Sequence, residues 1–589
     1  LHMKKKTIPI LTVCALIVII VAIIGGSVLL RKYSPSKEHK DLTSYYNITA
    51  DNQVAIVLNN ELTSSYATLI DGHIYVDYNF VHDTLNSRFY WDHNENILLY
   101  ATSRDLISAE ADSNKYLITK SSVDYGRPVV KANSDSAYID LDFVKEYTDL
   151  TYEYIKDPNR IIITNQWGDY DTASIKKNTA VRVKGGIKSP ILKDITEASD
   201  VTVIEQGDKW SKILTDDGII GYVQNKRMSD VSTKTRTSDF TPDTFAHITK
   251  DFNICMAWHQ VTNYSANTNI ASVLSSTKGV NVISPTWFYL NDNNGNLANL
   301  ASLDYVNYCH SQGVEVWALV SNLENKDADS AEVLTHTSKR QNLVNQIVSM
   351  AIQYNLDGIN LDFESLNQSK VGDAYIEFVR ELSIKCANNG IVLSIDNYVP
   401  TSYTAFYNRA EQANFADYVV IMGYDEHYAG GDAGSVSSIG WVKQGVADTL
   451  AEVPADQVIL GMPFYTRVWQ LTKNTSSKDS TDSEDNNDTK DNDNTSDSDY
   501  DVSSKIYGMR AADALLADNG VTKTWDKESG QNYAEFASGD STFKVWLEDA
   551  SSTEERLKVM QDNKLAGASF WKLGFETSDV WNTIIKYTN

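Results

Sequence analysis

Cysteine and proline are scarce in this chain, at 4 and 10 of 589 residues. Cys14, Cys255, Cys309 and Cys386 form no C-x-x-C pair, which excludes a disulfide-stapled scaffold and argues against a structural zinc module. Positive charge is also in short supply. Lys and Arg number 52 against 78 Asp and Glu, a formal net charge of −26. Such a surface repels a polyanion, so no nucleic-acid partner is expected. What remains is ordinary for a folded chain, 42% hydrophobic and 22% charged. At roughly 100–200 residues per domain, it divides into three or four units.

One apolar run has membrane-spanning length. It runs from Ile8 to Leu30, interrupted by Pro9, Thr12, Gly25, Gly26 and Ser27, and follows Lys4, Lys5 and Lys6. About 20 residues suffice to cross a ~30 Å hydrocarbon layer. A cleaved signal peptide is the rival reading, but its apolar region is shorter and ends in a small-x-small site. Here Leu29-Leu30-Arg31-Lys32 follows instead, which favours an anchor. Arg31, Lys32, Lys37 and Lys40 make the far flank basic too, so charge alone does not orient it. Placing the bulk of the chain outside the cell rests on the chemistry read further along.

Residues 75–100 and 138–163 repeat at a constant offset: Tyr75 with Tyr138, Phe80 with Phe143, Val81 with Val144, Trp91 with Tyr154, Asn96 with Asn159. Each copy reads as a short helix followed by two aromatic strands, predicting one α+β domain over 46–170. This pattern resembles the amino-terminal domain of copper amine oxidases, although no metal cluster accompanies it and its role is expected to be that of a spacer or wall contact. Gly207, Lys209-Trp210, Asp217-Gly218 and Gly221-Tyr222-Val223 suit closely spaced short strands over 171–230. They resemble a bacterial SH3-like barrel, a family that implies binding of peptidoglycan peptides; Trp210 also suits a plain core. A polar stretch at 231–246 reads as a linker, and 1–45 as tail, membrane helix and juxtamembrane segment.

Beyond the linker, strand-like runs alternate with helix-like ones at 252–258, 280–288, 314–321, 357–364, 391–398, 417–425, 458–465 and 566–572. Eight such alternations predict a (β/α)₈ TIM barrel over 247–589. The segment 473–503 does not fit that rhythm: rich in Asp, Ser, Thr and Asn, it reads as a disordered insertion after strand seven. Asp491-x-Asp493 lacks the Gly and Glu of a calcium loop.

The most informative octet is Asp357-Gly-Ile-Asn360-Leu-Asp362-Phe-Glu364. Strand alternation puts 360, 362 and 364 on one side, while Ile359, Leu361 and Phe363 pack outward toward helices. A barrel interior otherwise takes Val, Ile and Leu, and carboxyls there are costly unless they bind each other or a ligand. A structural acid cluster would need a cation, and no Lys or Arg occurs between Tyr354 and Gln368. Asp362 and Glu364 lie roughly 6–7 Å apart along one strand. They stand side by side and do not flank a scissile bond as paired glycosidase carboxyls do. If Glu364 protonates the leaving oxygen, a sugar's N-acetyl group can supply the nucleophile, with Asp362 holding its nitrogen and raising the pKa of Glu364.

The octet resembles the D-x-x-D-x-D-x-E signature of family 18 glycoside hydrolases, with Asn360 in place of the first inner Asp, as in the peptidoglycan and spore-cortex branch. Val282 to Phe288, Met422-Gly-Tyr424-Asp425, Gly461 to Trp469, Trp546-x-Glu548-Asp549 and Ala568 to Gly574 match in order. The resemblance implies Glu364, Asp362 and Tyr424 as catalytic residues, and Asn360, Asp425, Trp571, Tyr465 and Trp287 as substrate-binding ones, with no metal and no cofactor. Trp287, Trp441, Trp469 and Trp581 also suit a core when taken singly. An amide at 360 only hydrogen-bonds, which is expected to leave Asp362 ionised before substrate arrives. His259 and His427 lack a metal-like pattern.

The resulting expectation is a single-pass, membrane-anchored enzyme with its catalytic domain outside the cytoplasm, held through residues 8–30. Its partner is peptidoglycan or another GlcNAc-containing glycan. Chitin is the second enzymatic option. A silent carbohydrate-binding barrel and a scaffold are the alternatives from other classes, and an intact Glu364 speaks against the silent barrel.

Overall fold

The computed structural model describes residues 7–133, 136–473 and 500–588. They fall into two units, one of Leu1–Trp91, Ala109–Tyr116 and Ser122–Pro242, the other of Asp92–Ser108, Leu117–Ser121 and Asp243–Asn589.

The larger unit is built on eight strands: β1 (Ile254–His259), β2 (Val282–Leu290), β3 (Glu315–Ser321), β4 (Gly358–Asp362), β5 (Val392–Tyr398), β6 (Tyr418–Met422), β7 (Val458–Pro463) and β8 (Gly567–Trp571). Each falls on one of the eight expected segments, with β1 and β2 running past the ends of theirs, to His259 and Leu290. Neighbours pair in parallel all the way round, and β1 pairs with both β2 and β8, closing the barrel. Inward residues fill its lower half: Ile254, Met256, Val282, Trp317, Leu319, Val392, Tyr418, Val420 and Ile459. Trp317 stacks on Tyr418 with ring centroids 5.5 Å apart. Gly358 makes room for that stack, since a Cβ there would lie 2.8 Å from the Trp317 ring. Each such ring removed from water contributes on the order of 1.5–3 kcal/mol.

Outside the strands lie helices α1 (Thr337–Gln353), α2 (Ala374–Asn388) and α3 (Arg409–Phe415). Phe363 points away from the barrel interior and packs on Phe378 of α2 at 5.2 Å, as the strand alternation requires. Between β7 and β8 the chain builds a five-stranded antiparallel sheet, ordered 500–508, 465–473, 541–547, 531–538, 524–526. Helix Met509–Asp518 covers it through Ala512 and Leu516. This subdomain was not foreseen. Tyr465, Arg467 and Trp469 therefore lie on its second strand and not on β7. Of the expected disordered insertion, 474–499 lies outside the described residues, whereas Lys473 pairs with Tyr500 and residues 500–503 are strand.

The smaller unit begins with helix Thr7–Tyr33, whose Leu11–Tyr33 stretch contains an 18-residue window of mean hydropathy 3.1 with none of its residues buried. Two seven-stranded sheets follow. Asp77 and Asp140 each cap a short helix by accepting from the backbone N–H groups two and three residues on. The second sheet runs from Gly168 to Arg236 and shares a core with the first, with Ala55 and Val57 packing beside Val181, Ile213 and Val223. The expected linker is shortened by it. Ser232–Arg236 is a strand paired with Gly168–Ser174, and the Thr233 and Thr235 hydroxyls donate to Asp171 and Asp169. β-branched residues at alternate positions favour strand over coil.

Candidate active site

The carboxyl end of the barrel opens into a cavity of about 170 Å³. Ligand sites of parallel α/β barrels lie at this end, where strand termini release side chains from the packed core. Asp362 closes β4 and Glu364 follows it; both reach the cavity. Asp396 and Tyr398 arrive from β5, Met422, Tyr424 and Asp425 from β6 and the turn after it, Trp571 from β8, and Tyr465 from the inserted sheet. Trp258 of β1 forms the floor, edge-on to Trp571 at 5.8 Å and to Tyr424 at 6.4 Å. Gly461 of β7 lets Tyr424 settle there, because a Cβ would stand 3.3 Å from its ring and 2.9 Å from a backbone carbonyl.

Glu364 is held by its backbone. Its N–H donates to Asn322 Oδ1 at 2.8 Å, and Asn322 Nδ2 donates back to the Glu364 carbonyl at 3.0 Å. Ser365, next along at φ 54°, turns the chain and donates its N–H to the Tyr398 hydroxyl at 3.1 Å. Asp425 also takes a left-handed conformation, φ 63°, and accepts from the Tyr465 hydroxyl at 2.5 Å with Arg467 3.8 Å away.

Asn360 lies beneath the cavity and is fully buried. Its Oδ1 accepts from Trp258 Nε1 (2.8 Å) and Ser284 Oγ (3.1 Å), while its Nδ2 donates to Asp396 Oδ1 (2.8 Å) and Ser394 Oγ (3.1 Å). All four bonding positions of the amide are used. Asn360 is thus a keystone under the site and not a substrate contact, which corrects the expectation. Trp287 is corrected as well. It is fully buried, donates to Asn267 at 2.8 Å, packs edge-on against Tyr305 at 4.8 Å and does not line the cavity.

Three carboxyls share this confined space. Burial first, then Glu364, Asp396 and Glu324, push Asp362 well above the usual carboxylate range. Burial does the same to Asp396, against the opposing hydrogen bond from Asn360. Glu364 is raised by burial, by Asp425 and by Glu324, with the Tyr398 hydrogen bond pulling the other way. No lysine or arginine among the described residues draws any of them back. Burial and its neighbours thus push Asp362 toward keeping its proton, the opposite direction from the expectation that an amide at 360 leaves it ionised: the amide removed one acid from the cluster, but Asp396 supplies another. Asp396, Tyr398, Trp258, Met422 and Asn322 were missed. Ser394, Asp396 and Tyr398 alternate on β5 as 360, 362 and 364 do on and after β4, and that period was the available signal.

Among the described residues no His, Cys, Asp and Glu grouping suits a metal ion. His259 is buried against the Tyr305 hydroxyl, 2.9 Å away, and burial lowers its pKa to about 4.

Comparison with known proteins places this barrel. The description "Glycosyl hydrolases family 18" matches residues 219–576, and "Copper amine oxidase N-terminal domain" matches residues 56–163. The "Uncharacterized glycosylase YvbX" of Bacillus subtilis is 23% identical over 311 residues, 50% of this chain and 82% of its own. The cortical fragment-lytic enzyme of Bacillus subtilis is 26% identical over 296 residues, 48% of this chain and 62% of the relative. Among solved structures, the Bacillus megaterium spore cortex-lytic enzyme superposes with a TM-score of 0.47 at 20% identity, covering 60% of this chain and 78% of the other.

Proposed function

Since the chain belongs to glycosyl hydrolases family 18, we propose that its barrel hydrolyses β-1,4 bonds that follow N-acetylglucosamine in peptidoglycan or spore cortex, and that the sugar's own acetamido oxygen is the nucleophile. The observation that carries this reading is the side-by-side placement of Asp362 and Glu364 at the end of β4, facing one small cavity. Neither of these two carboxyls stands opposite the other, so Asp362 is not set for backside attack while Glu364 protonates the leaving oxygen. Burial keeps Glu364 protonated above the ordinary carboxylate range, as a general acid requires. Tyr424 donates to the acetamido carbonyl and Asp362 accepts from its N–H, stabilising the oxazolinium ion. Trp571 offers a ring face to the sugar. Asp425, fixed by Tyr465, borders the subsite. Glu364 then takes a proton from the water that opens the ring.

The helix at 8–30 anchors the chain in the cell membrane as a single pass, with the barrel at 247–589 outside the cytoplasm. The 46–170 region is a stalk and the 171–230 sheet an SH3-like wall contact. Mass spectrometry of fragments released by the full chain from purified wall, cortex and chitin tests the substrate. Fragments with reducing-end N-acetylglucosamine from wall or cortex are expected; release from chitin alone would reassign the substrate, and no release from any would remove the enzymatic reading. A glycan with a free amine in place of the −1 N-acetyl group tests the nucleophile. It should resist cleavage, and turnover near the acetylated rate would mean that a protein nucleophile does the work.

A further inference from the structure

The strand register sets Asp396 beside Asp362. Asn360 of β4 lies opposite Ser394 of β5, and Leu361 opposite Ile395. The next inward pair on these parallel neighbours is therefore Asp362 and Asp396, on backbones about 4.8 Å apart. Asp362 Oδ1 is buried without a hydrogen-bond partner among the described residues. Asp396 is 3% exposed, lines the same cavity, and has one oxygen fixed by the Asn360 amide at 2.8 Å. We propose that Asp396 is the proton partner of Asp362: the two share one proton, which moves between them during turnover.

This assignment rests on the substrate-assisted reading and adds a residue to it. Two carboxylates this close do not both ionise, so a proton stays in the pair. The directions already described agree, both acids being raised by burial. Asn360 lies on the other side of Asp362 along β4 and has no site for a proton, so it cannot play this part. When the acetamido oxygen bonds to the anomeric carbon and the glycosidic bond breaks, the Glu364 proton passes to the leaving oxygen. The shared proton then sits on Asp396, and Asp362 carries the negative charge that faces the new cation. When water adds to the anomeric carbon, its proton goes to Glu364, the ring bond's electrons return to the acetamido group, and the shared proton is again free to sit on Asp362. No proton is gained or lost by the pair over the cycle. The titratable groups facing it are Glu364, Glu324, Tyr424, Tyr375, Tyr407 and Tyr398.

The test uses the full chain and 4-nitrophenyl N,N′-diacetyl-β-chitobioside. Asp396→Asn keeps the shape and can still accept from Asn360, so it should fold. Its kcat should fall about tenfold or more, and the acid limb of the kcat profile should move, since one carboxyl titrates where two had shared. Asn360→Asp added to Asp396→Asn puts a carboxyl back beside Asp362, with the hydrogen bond reversed, and should recover kcat and profile. Unchanged kcat and profile in the single variant, or no recovery in the double, would overturn the assignment. Infrared difference titration needs no substrate. Beside the bands of Glu364 and the other buried acids, the wild type should keep a protonated-carboxyl band at neutral pH that Asp396→Asn lacks and the double variant regains, and identical titrations would refute sharing. If the infrared signature appears but the chitobioside is not cut by wild type, the substrate reading fails while the shared proton stands.

Discussion

Two groups of buried acids in the larger unit differ in one respect: the first is provided with cations and the second is not. In the helical layer, Glu381 of α2 accepts from Arg340 of α1 at 2.8 Å, and Arg380 of α2 bonds Glu377 at 3.1 Å and Glu411 of α3 at 3.0 Å. Arg340, Arg380, Glu377 and Glu381 are each at most 2% exposed. Burial raises Glu381 to about 7, with Arg340 opposing it. In the barrel mouth, Asp362, Glu364 and Asp396 meet burial and one another with no such opposition. A buried carboxyl matched to a guanidinium is architecture; one left unmatched destabilises the fold and persists where a reaction uses it. Glu548, just past the end of strand 541–547, falls on the architectural side, held by two bonds from Arg556 at 2.8 and 2.9 Å.

The strongest way to break this contrast is to neutralise one acid in the mouth. Glu364→Gln should cut turnover by up to ~10⁴-fold while glycan binding survives, because an amide has no proton to give. It should also raise Tm. The folded state lifts the pKa of Glu364, so the stability that Glu364 contributes is lost as pH rises, and the variant's gain should grow from acid toward alkaline pH. Thermal melts across pH check this; a lower Tm at every pH would show that the mouth is held together by its acids. The mirror experiment removes a cation from the helical layer. Arg340→Met strands Glu381 beside Glu377 and should cost about 3 kcal/mol at alkaline pH, measured by denaturant unfolding. The cost should shrink at acid pH as Glu381 takes a proton, and kcat of the folded fraction should stay near the wild-type value.

That contrast was half legible in the sequence. The barrel was readable because each parallel strand is a short apolar run between helical stretches, and the Asn360, Asp362, Glu364 alternation marked which strand carried polar residues inward. Asp396 escaped because its run, Val392 to Tyr398, satisfies a strand by composition, and a single acid gave no reason to look for a partner across the register. Asn360 and Trp287 were misplaced for a related reason. Residue type and strand position identify an inward or end-of-strand side chain, but not its depth along the barrel axis. The inserted sheet was hidden because its strands lie on either side of an acidic run that looks like a break in the fold. Long-range partners such as Arg340 with Glu381 follow from helix packing, which local pattern does not encode.

A smaller effect sharpens the electrostatics within the mouth. Asp425 is among the groups that raise Glu364. Asp425→Asn should therefore let Glu364 lose its proton at lower pH, moving the alkaline limb of kcat/KM toward acid by less than about one pH unit. Tyr465→Phe, which frees Asp425 without removing its charge, should leave that limb in place. A shift of equal size in both variants would trace the effect to geometry and not to charge.

The weakest perturbation removes the most acid. Residues 474–499 contain nine Asp and Glu and two Lys. They join Lys473 to Tyr500, which pair directly as the ends of two antiparallel strands. A Gly-Ser link of half that length closes the same pair, and halving a loop changes its closure entropy by only about 0.6 kcal/mol. Unfolding midpoint and kcat should both stay close to wild type. If acid content by itself governed stability, removing this much net negative charge would stabilise the chain more than neutralising the single Glu364 does. Burial without a cation is what separates the two cases, so the order should be the reverse: one carboxyl in the mouth outweighs the whole segment. A large gain on replacing the segment would refute that ordering, and a large loss would make 474–499 part of the fold.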